Sequence, residues 1–75
     1  MKRQRLDSSS LASVGYAPAR QVLEVEFLNG GVYEYSDVPE ETYRALLDAD
    51  SKGRYLNAEI KPHHPSRRLQ AAPRR

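Results

Sequence analysis

The sequence predicts a small α+β domain: a three-stranded antiparallel sheet packed against one longer and one short helix. Three stretches carry this expectation. In "VLEVEFL" the apolar Leu23, Val25 and Phe27 alternate with Glu24 and Glu26, the period-two pattern of a strand buried on one side. "NGG" follows, rich in residues that tolerate the positive φ of a tight hairpin, and leads into "VYEY". In "PEETYRALLDAD" the apolar Tyr43, Leu46 and Leu47 recur at helical spacing.

Taken in order, residues 1–7 read as a flexible basic arm, and residues 8–61 as the folded domain. "SSSLASVGY" is the first strand, with Ala12, Val14 and Tyr16 expected on one face. "APARQ" connects it to the second strand, "VLEVEFL". The length of the next loop decides where Tyr33 and Tyr35 point. A two-residue loop, Asn29-Gly30, pairs Leu28 with Gly31 and sets both tyrosines on the face of Glu24 and Glu26. A three-residue loop, Asn29-Gly30-Gly31, pairs Leu28 with Val32, so that Phe27 faces Tyr33 and Val25 faces Tyr35.

A one-residue slip flips every side chain, so the hydrophobic pattern selects the second register. Its cost is Glu26 opposite Glu34, about 0.2–1 kcal/mol for like charges across a pair. Burying a large apolar side chain returns about 1.5–3 kcal/mol and outweighs it. Tyr33 and Tyr35 are therefore expected to be mainly structural. Pro39 suits a first helical turn, and Glu40 and Glu41 suit the positive end of the helix dipole. Ser51 is placed to cap a short second helix, "KGRYLNAEI", burying Tyr55, Leu56 and Ile60, although Gly53 inside it is a poor helix former. Residues 62–75, rich in Pro and Arg, read as a flexible basic tail.

Composition narrows the classes. A domain of this length buries only about 60% of the surface its unfolded chain exposes, and with no cysteine there is no disulfide to compensate. No signal-peptide-like run and no apolar stretch of about 20 residues is present, so a soluble cytoplasmic protein is expected, with no membrane partner. The net charge of +2 conceals a basic–acidic–basic layout: residues 1–23 sum to +3, residues 24–50 to −7 and residues 51–75 to +6. Such asymmetry suits an anionic partner at the basic end.

Residues 7–61, "DSSSLASVGYAPARQVLEVEFLNGGVYEYSDVPEETYRALLDADSKGRYLNAEIK", resemble the KTSC domain, named from the C-terminus of certain lysyl-tRNA synthetases and carried by stand-alone bacterial and phage proteins. The resemblance rests on the order of Ser-Ser, "VGY", "LEVEF", "YEY", "VP" and "SKGRYLN" with the isoleucine after it. It implies a small α+β module with no catalytic residue or cofactor, for which RNA binding is suggested. Tyr33 and Tyr35 match the family's Y-x-Y motif.

Two binding classes follow. Nucleic acid, whether tRNA or single-stranded RNA, requires cations for phosphates and aromatics for bases. Lys52, Arg54, Lys61, Arg67 and Arg68 supply the first, Tyr16 and Tyr55 the second. Glu24, Glu26 and Glu34 on the exposed sheet face repel phosphate and instead suit a basic protein surface, the alternative partner. His63-His64 lacks the further ligands of a metal site. Glu40-Glu41 and Asp48 with Asp50 fit solvated helix ends, and Ser8-Ser9-Ser10 has no candidate base. No enzyme activity, metal or cofactor is expected.

Overall fold

Five strands, not three, form the sheet. The computed structural model describes residues 3–71. β1 (Arg3–Arg5), β2 (Leu11–Ala17), β3 (Val22–Phe27), β4 (Val32–Tyr35) and β5 (Ser66–Gln70) run antiparallel in the order β1-β2-β3-β4-β5. α1 (Glu40–Asp48), α2 (Lys52–Tyr55) and a π-helical continuation (Leu56–Ile60) lie between β4 and β5 in sequence.

The expected three-stranded sheet is thus corrected by its two edges, drawn from segments expected to be a flexible arm and tail. Every residue of β1 and β5 is exposed. They bury no apolar stripe, so periodicity had nothing to register. Backbone ladders hold them, with ion pairs from Arg3 to Glu24 and from Arg67 to Glu34, both 3.3 Å.

A bulge between Leu11 and Ser13 adds one residue to β2 and lets Leu11 and Val14 both enter the core. The expected face of Ala12, Val14 and Tyr16 is therefore modified: Leu11 takes the core position, while Ala12 is only half-buried. Ser8 Oγ accepts from the N–H groups of Ser10 and Leu11, fixing the entry to this strand.

The β3–β4 hairpin keeps the expected parity but not the expected register. Its loop is Leu28-Asn29-Gly30, with Gly30 at φ 96°. Phe27 N–H donates to the Gly31 carbonyl at 2.8 Å, and Gly30 N–H donates to the Phe27 carbonyl at 2.9 Å. Asn29 Oδ1 accepts from Gly31 N–H at 2.9 Å. Gly30, not Gly31, occupies the left-handed position, which slides the pairing by two residues: Val25 faces Tyr33, Leu23 faces Tyr35 and Glu24 faces Glu34. An even slip keeps the tyrosines on the apolar side. Leu28, expected as the last strand residue, is instead 60% exposed at the loop.

The core is Leu11, Val14, Leu23, Val25, Tyr35, Val38, Leu46, Leu56 and Ile60, between one sheet face and the helices. The Pro39 carbonyl accepts from the N–H groups of Thr42 and Tyr43, starting α1. Ser51 Oγ accepts from Arg54 N–H and caps α2. Gly53 sits in α2 because a Cβ there would come 2.9 Å from both Cβ and Oγ of Ser10. Among the described residues no helix is long and apolar enough to cross a membrane.

Candidate nucleic-acid interface

Residues paired across a ladder project to the same side, so the registers sort every candidate by face. Arg3, Gly15, Glu24, Glu34 and Arg67 form one row across the face away from the helices. Glu24 and Glu34 lie in its middle, side chains 19% and 15% exposed, each held by an arginine from an edge strand. Glu26 accepts from Ser13 Oγ at 2.8 Å. The acidic face expected from sequence is therefore largely compensated from within the chain.

The opposite face carries a different chemistry at its β4–β5 edge. Phe27, Asn29, Tyr33, Tyr35 and Lys61 line a cleft of about 240 Å³. Phe27 and Tyr33 meet edge to face, centroids 5.6 Å apart at 84°, which fixes both rings. Tyr35 is buried at 1% exposure, whereas Tyr33 is half-buried. Lys61 arrives from the end of the π-helical segment, its N–H donating to the Leu56 carbonyl at 2.8 Å. Arg68 on β5 is the ladder partner of Tyr33 and stands on the same face.

The structure therefore brings Lys61 and Arg68 to one edge, beside the Y-x-Y tyrosines. It does not bring the other cations there. Arg67 points to the far face against Glu34. Lys52 donates through Nζ to the Ala49 carbonyl at 3.2 Å. Arg54 and half-buried Tyr55 border a separate hollow whose rim also holds Asp50 and Glu59. Tyr16 lies with the other edge of the sheet, stacked on Tyr43. Phe27 and Asn29 belong to the cleft but were missed from sequence. Phe27 read only as core, and Asn29 only as turn.

Burial raises the Tyr35 hydroxyl above the ordinary tyrosine value, with a smaller contribution from neighbouring Tyr33. Tyr16 is raised by desolvation first and by the Glu40 carboxylate second, and its hydroxyl donates to the Val38 carbonyl. Both are neutral phenols at physiological pH, so neither supplies an anion that would oppose a phosphate. Among the described residues no three His, Asp or Glu side chains cluster as metal ligands.

The comparisons fit a chain of this architecture. The KTSC domain model matches residues 7–64. The crystal structure of a KTSC domain protein from Yersinia pestis superposes with a TM-score of 0.87 at 37% identity, covering 91% of this chain and 96% of that one. An uncharacterised protein of Stutzerimonas stutzeri is 56% identical over 64 residues, 85% of this chain and 90% of that protein. A lysine–tRNA ligase of Nostoc is 38% identical over 55 residues, which are 73% of this chain but 10% of the ligase.

Proposed function

The chain belongs to the KTSC domain family, and we propose that this member is a non-catalytic module that binds single-stranded RNA at the β4–β5 edge. The observation that carries this is half-buried Tyr33, which lines a cleft with Phe27 and Lys61 and is the ladder partner of Arg68. Cations hold the phosphates without regard to sequence, and a fixed aromatic ring offers its face to an unstacked base. A relative in which the same region makes up a tenth of a lysine–tRNA ligase adds weight to tRNA, through its single-stranded segments, within that class.

A basic protein docking on Glu24, Glu26 and Glu34 has less support, because Arg3, Ser13 and Arg67 already engage those carboxylates. The triple serine is engaged too: Ser8 Oγ fixes a turn and Ser10 packs on Gly53. Those contacts favour a binding module over a hydrolase.

Fluorescence anisotropy against labelled single-stranded RNA, tRNA and duplex DNA at two salt concentrations tests the proposal. Deleting residues 62–75 is not a clean control, since it removes β5. The informative variant is Lys61→Ala with Arg68→Ala. It should weaken RNA binding and flatten the log–log salt slope by about 1.4, at about 0.7 per phosphate contact on a single strand. An unchanged slope would remove these residues from the site, and absence of binding at low salt would sink the nucleic-acid function.

A further inference from the structure

One polar group in the β4–β5 cleft neither holds a phosphate nor stacks on a base. Tyr35 lines that cleft although it is only 1% exposed. Its hydroxyl forms no hydrogen bond with any described residue, an uncommon state for the phenol of a buried tyrosine. Among the described residues no fully buried side-chain nitrogen or oxygen lacks a partner. The unpartnered hydroxyl therefore keeps a small contact with open space, and the cleft is the open space that Tyr35 borders. Burial holds its proton in place at physiological pH, so it is able to donate.

Asn29 adds a second uncommitted group. Its Oδ1 accepts from Gly31 N–H at 2.9 Å, and only the oxygen of an amide can do so, which fixes the orientation of the side chain. Nδ2 donates to no described residue, on an exposed side chain that lines the same cleft. The rest of the lining is Phe27, Tyr33 and Lys61, with no carboxylate among them. With Oδ1 engaged in the turn, the lining side chains offer donors from Asn29 and Lys61, and phenol oxygens as acceptors.

We infer that this cleft reads uracil, with Asn29 Nδ2 donating to a carbonyl oxygen of the base and the Tyr35 hydroxyl meeting the same edge. The inference rests on the RNA-binding function proposed above and adds the base to it; Lys61 and Arg68 are left to the phosphates. Uracil is the one RNA base without an exocyclic amine, and its free edge is two carbonyl oxygens about one N–H. A phenol can donate to those oxygens or accept from that N–H. Adenine, cytosine and guanine each bring an amino group into a space lined by donors. There it loses the partners it had in water, and that loss is what separates the bases. The volume, about 240 Å³, lies below the usual small-ligand range of about 300–1,000 Å³, which suits a single base.

The test is fluorescence anisotropy of the full chain with labelled oligo(U), oligo(C) and oligo(A) RNA of equal length at low salt. Oligo(U) should bind about fivefold more tightly than the others, the scale of one hydrogen bond gained or lost. Weak self-stacking alone can favour oligo(U), so two variants decide the cause. Tyr35→Phe removes only a hydroxyl that no described residue binds, and should narrow the gap between oligo(U) and oligo(C). Asn29→Asp keeps an oxygen for Gly31 N–H but exchanges the donors for an acceptor. Its ratio of oligo(U) to oligo(C) binding should shift toward cytosine, a change that a role confined to the turn does not give. Equal binding of the three strands overturns the uracil assignment and leaves RNA binding itself standing, whereas binding of none removes both. A uracil preference that persists undiminished in both folded variants also overturns the assignment.

Discussion

Gly53→Ala should destabilise the protein even though it replaces the poorest ordinary helix former with the best. Helix propensity alone favours alanine over glycine by up to about 1 kcal/mol. The added Cβ would lie 2.9 Å from Ser10 Cβ and Ser10 Oγ. Oγ can rotate away, but Cβ moves only with the backbone. That backbone is tied at both ends: Ser10 N–H donates to Ser8 Oγ, and its carbonyl accepts from Leu28 N–H at 3.0 Å. Overpacking against such a site costs about 1–3 kcal/mol, so the net loss is about 1 kcal/mol. For a domain of this size that is about 4–8 °C in Tm. The decisive measurement is a double-mutant cycle by urea unfolding followed by circular dichroism. In a Ser10→Gly background both clashing atoms are gone, and Gly53→Ala should change sign and stabilise. If Gly53→Ala stabilises the wild type, or if its effect is the same in both backgrounds, the close approach of α2 to the first serine turn is not what dictates glycine.

Tyr35→Ala should cost about 3–5 kcal/mol, the range for deleting a buried aromatic, and Tyr33→Ala clearly less because that ring is only half-buried. Equal losses on denaturant unfolding would contradict the assigned burial. Tyr16 and Tyr35 should ionise later than an ordinary tyrosine when phenolate absorbance is followed against pH. Because their folded values are raised, the linked stability is complete below about pH 10 and is lost as pH climbs through the folded values; unfolding titrations that show no loss there would contradict the shifts. Truncation after Pro65 should lower Tm, because it strips β4 of its outer ladder; an unchanged Tm would mean β5 contributes nothing to the fold.

The parts of the fold that were legible in the sequence are those that bury an apolar stripe. Leu23, Val25 and Phe27 alternate, and Tyr43, Leu46 and Leu47 recur, because one side of each element must face the core. β1 and β5 lacked that imprint. An edge strand of arginine, glutamine and serine satisfies one row of backbone groups on a neighbour and leaves its side chains in water. Its composition is then the same as that of a flexible arm. The hairpin shift has a similar origin. Pattern determines parity, but the choice of Gly30 over Gly31 for the left-handed position depends on turn geometry that two adjacent glycines leave open. The candidate cleft inherited both difficulties. Lys61 was identified as a cation in sequence, but its placement beside Tyr33 and Phe27 depends on where the π-helical segment ends against the sheet.

The two added strands also change the meaning of the charge layout. In sequence, an acidic middle separates two basic ends, and the natural inference is one face for each sign. In the fold the ends return to the middle: Arg3 and Arg67 cross from opposite edges to Glu24 and Glu34. The pairs are only partly shielded and contribute modestly to stability. Their larger effect is on the field, since compensated carboxylates repel a polyanion far less than bare ones do. Lys61 and Arg68, proposed to meet RNA, stand on the other side of a sheet whose acids are screened. Reversing that screen with Arg3→Glu and Arg67→Glu should weaken RNA binding without touching the cleft, mainly through the on-rate and most at low salt. An on-rate unchanged at low ionic strength would show that the outer face has no electrostatic hold on the edge where RNA is proposed to bind.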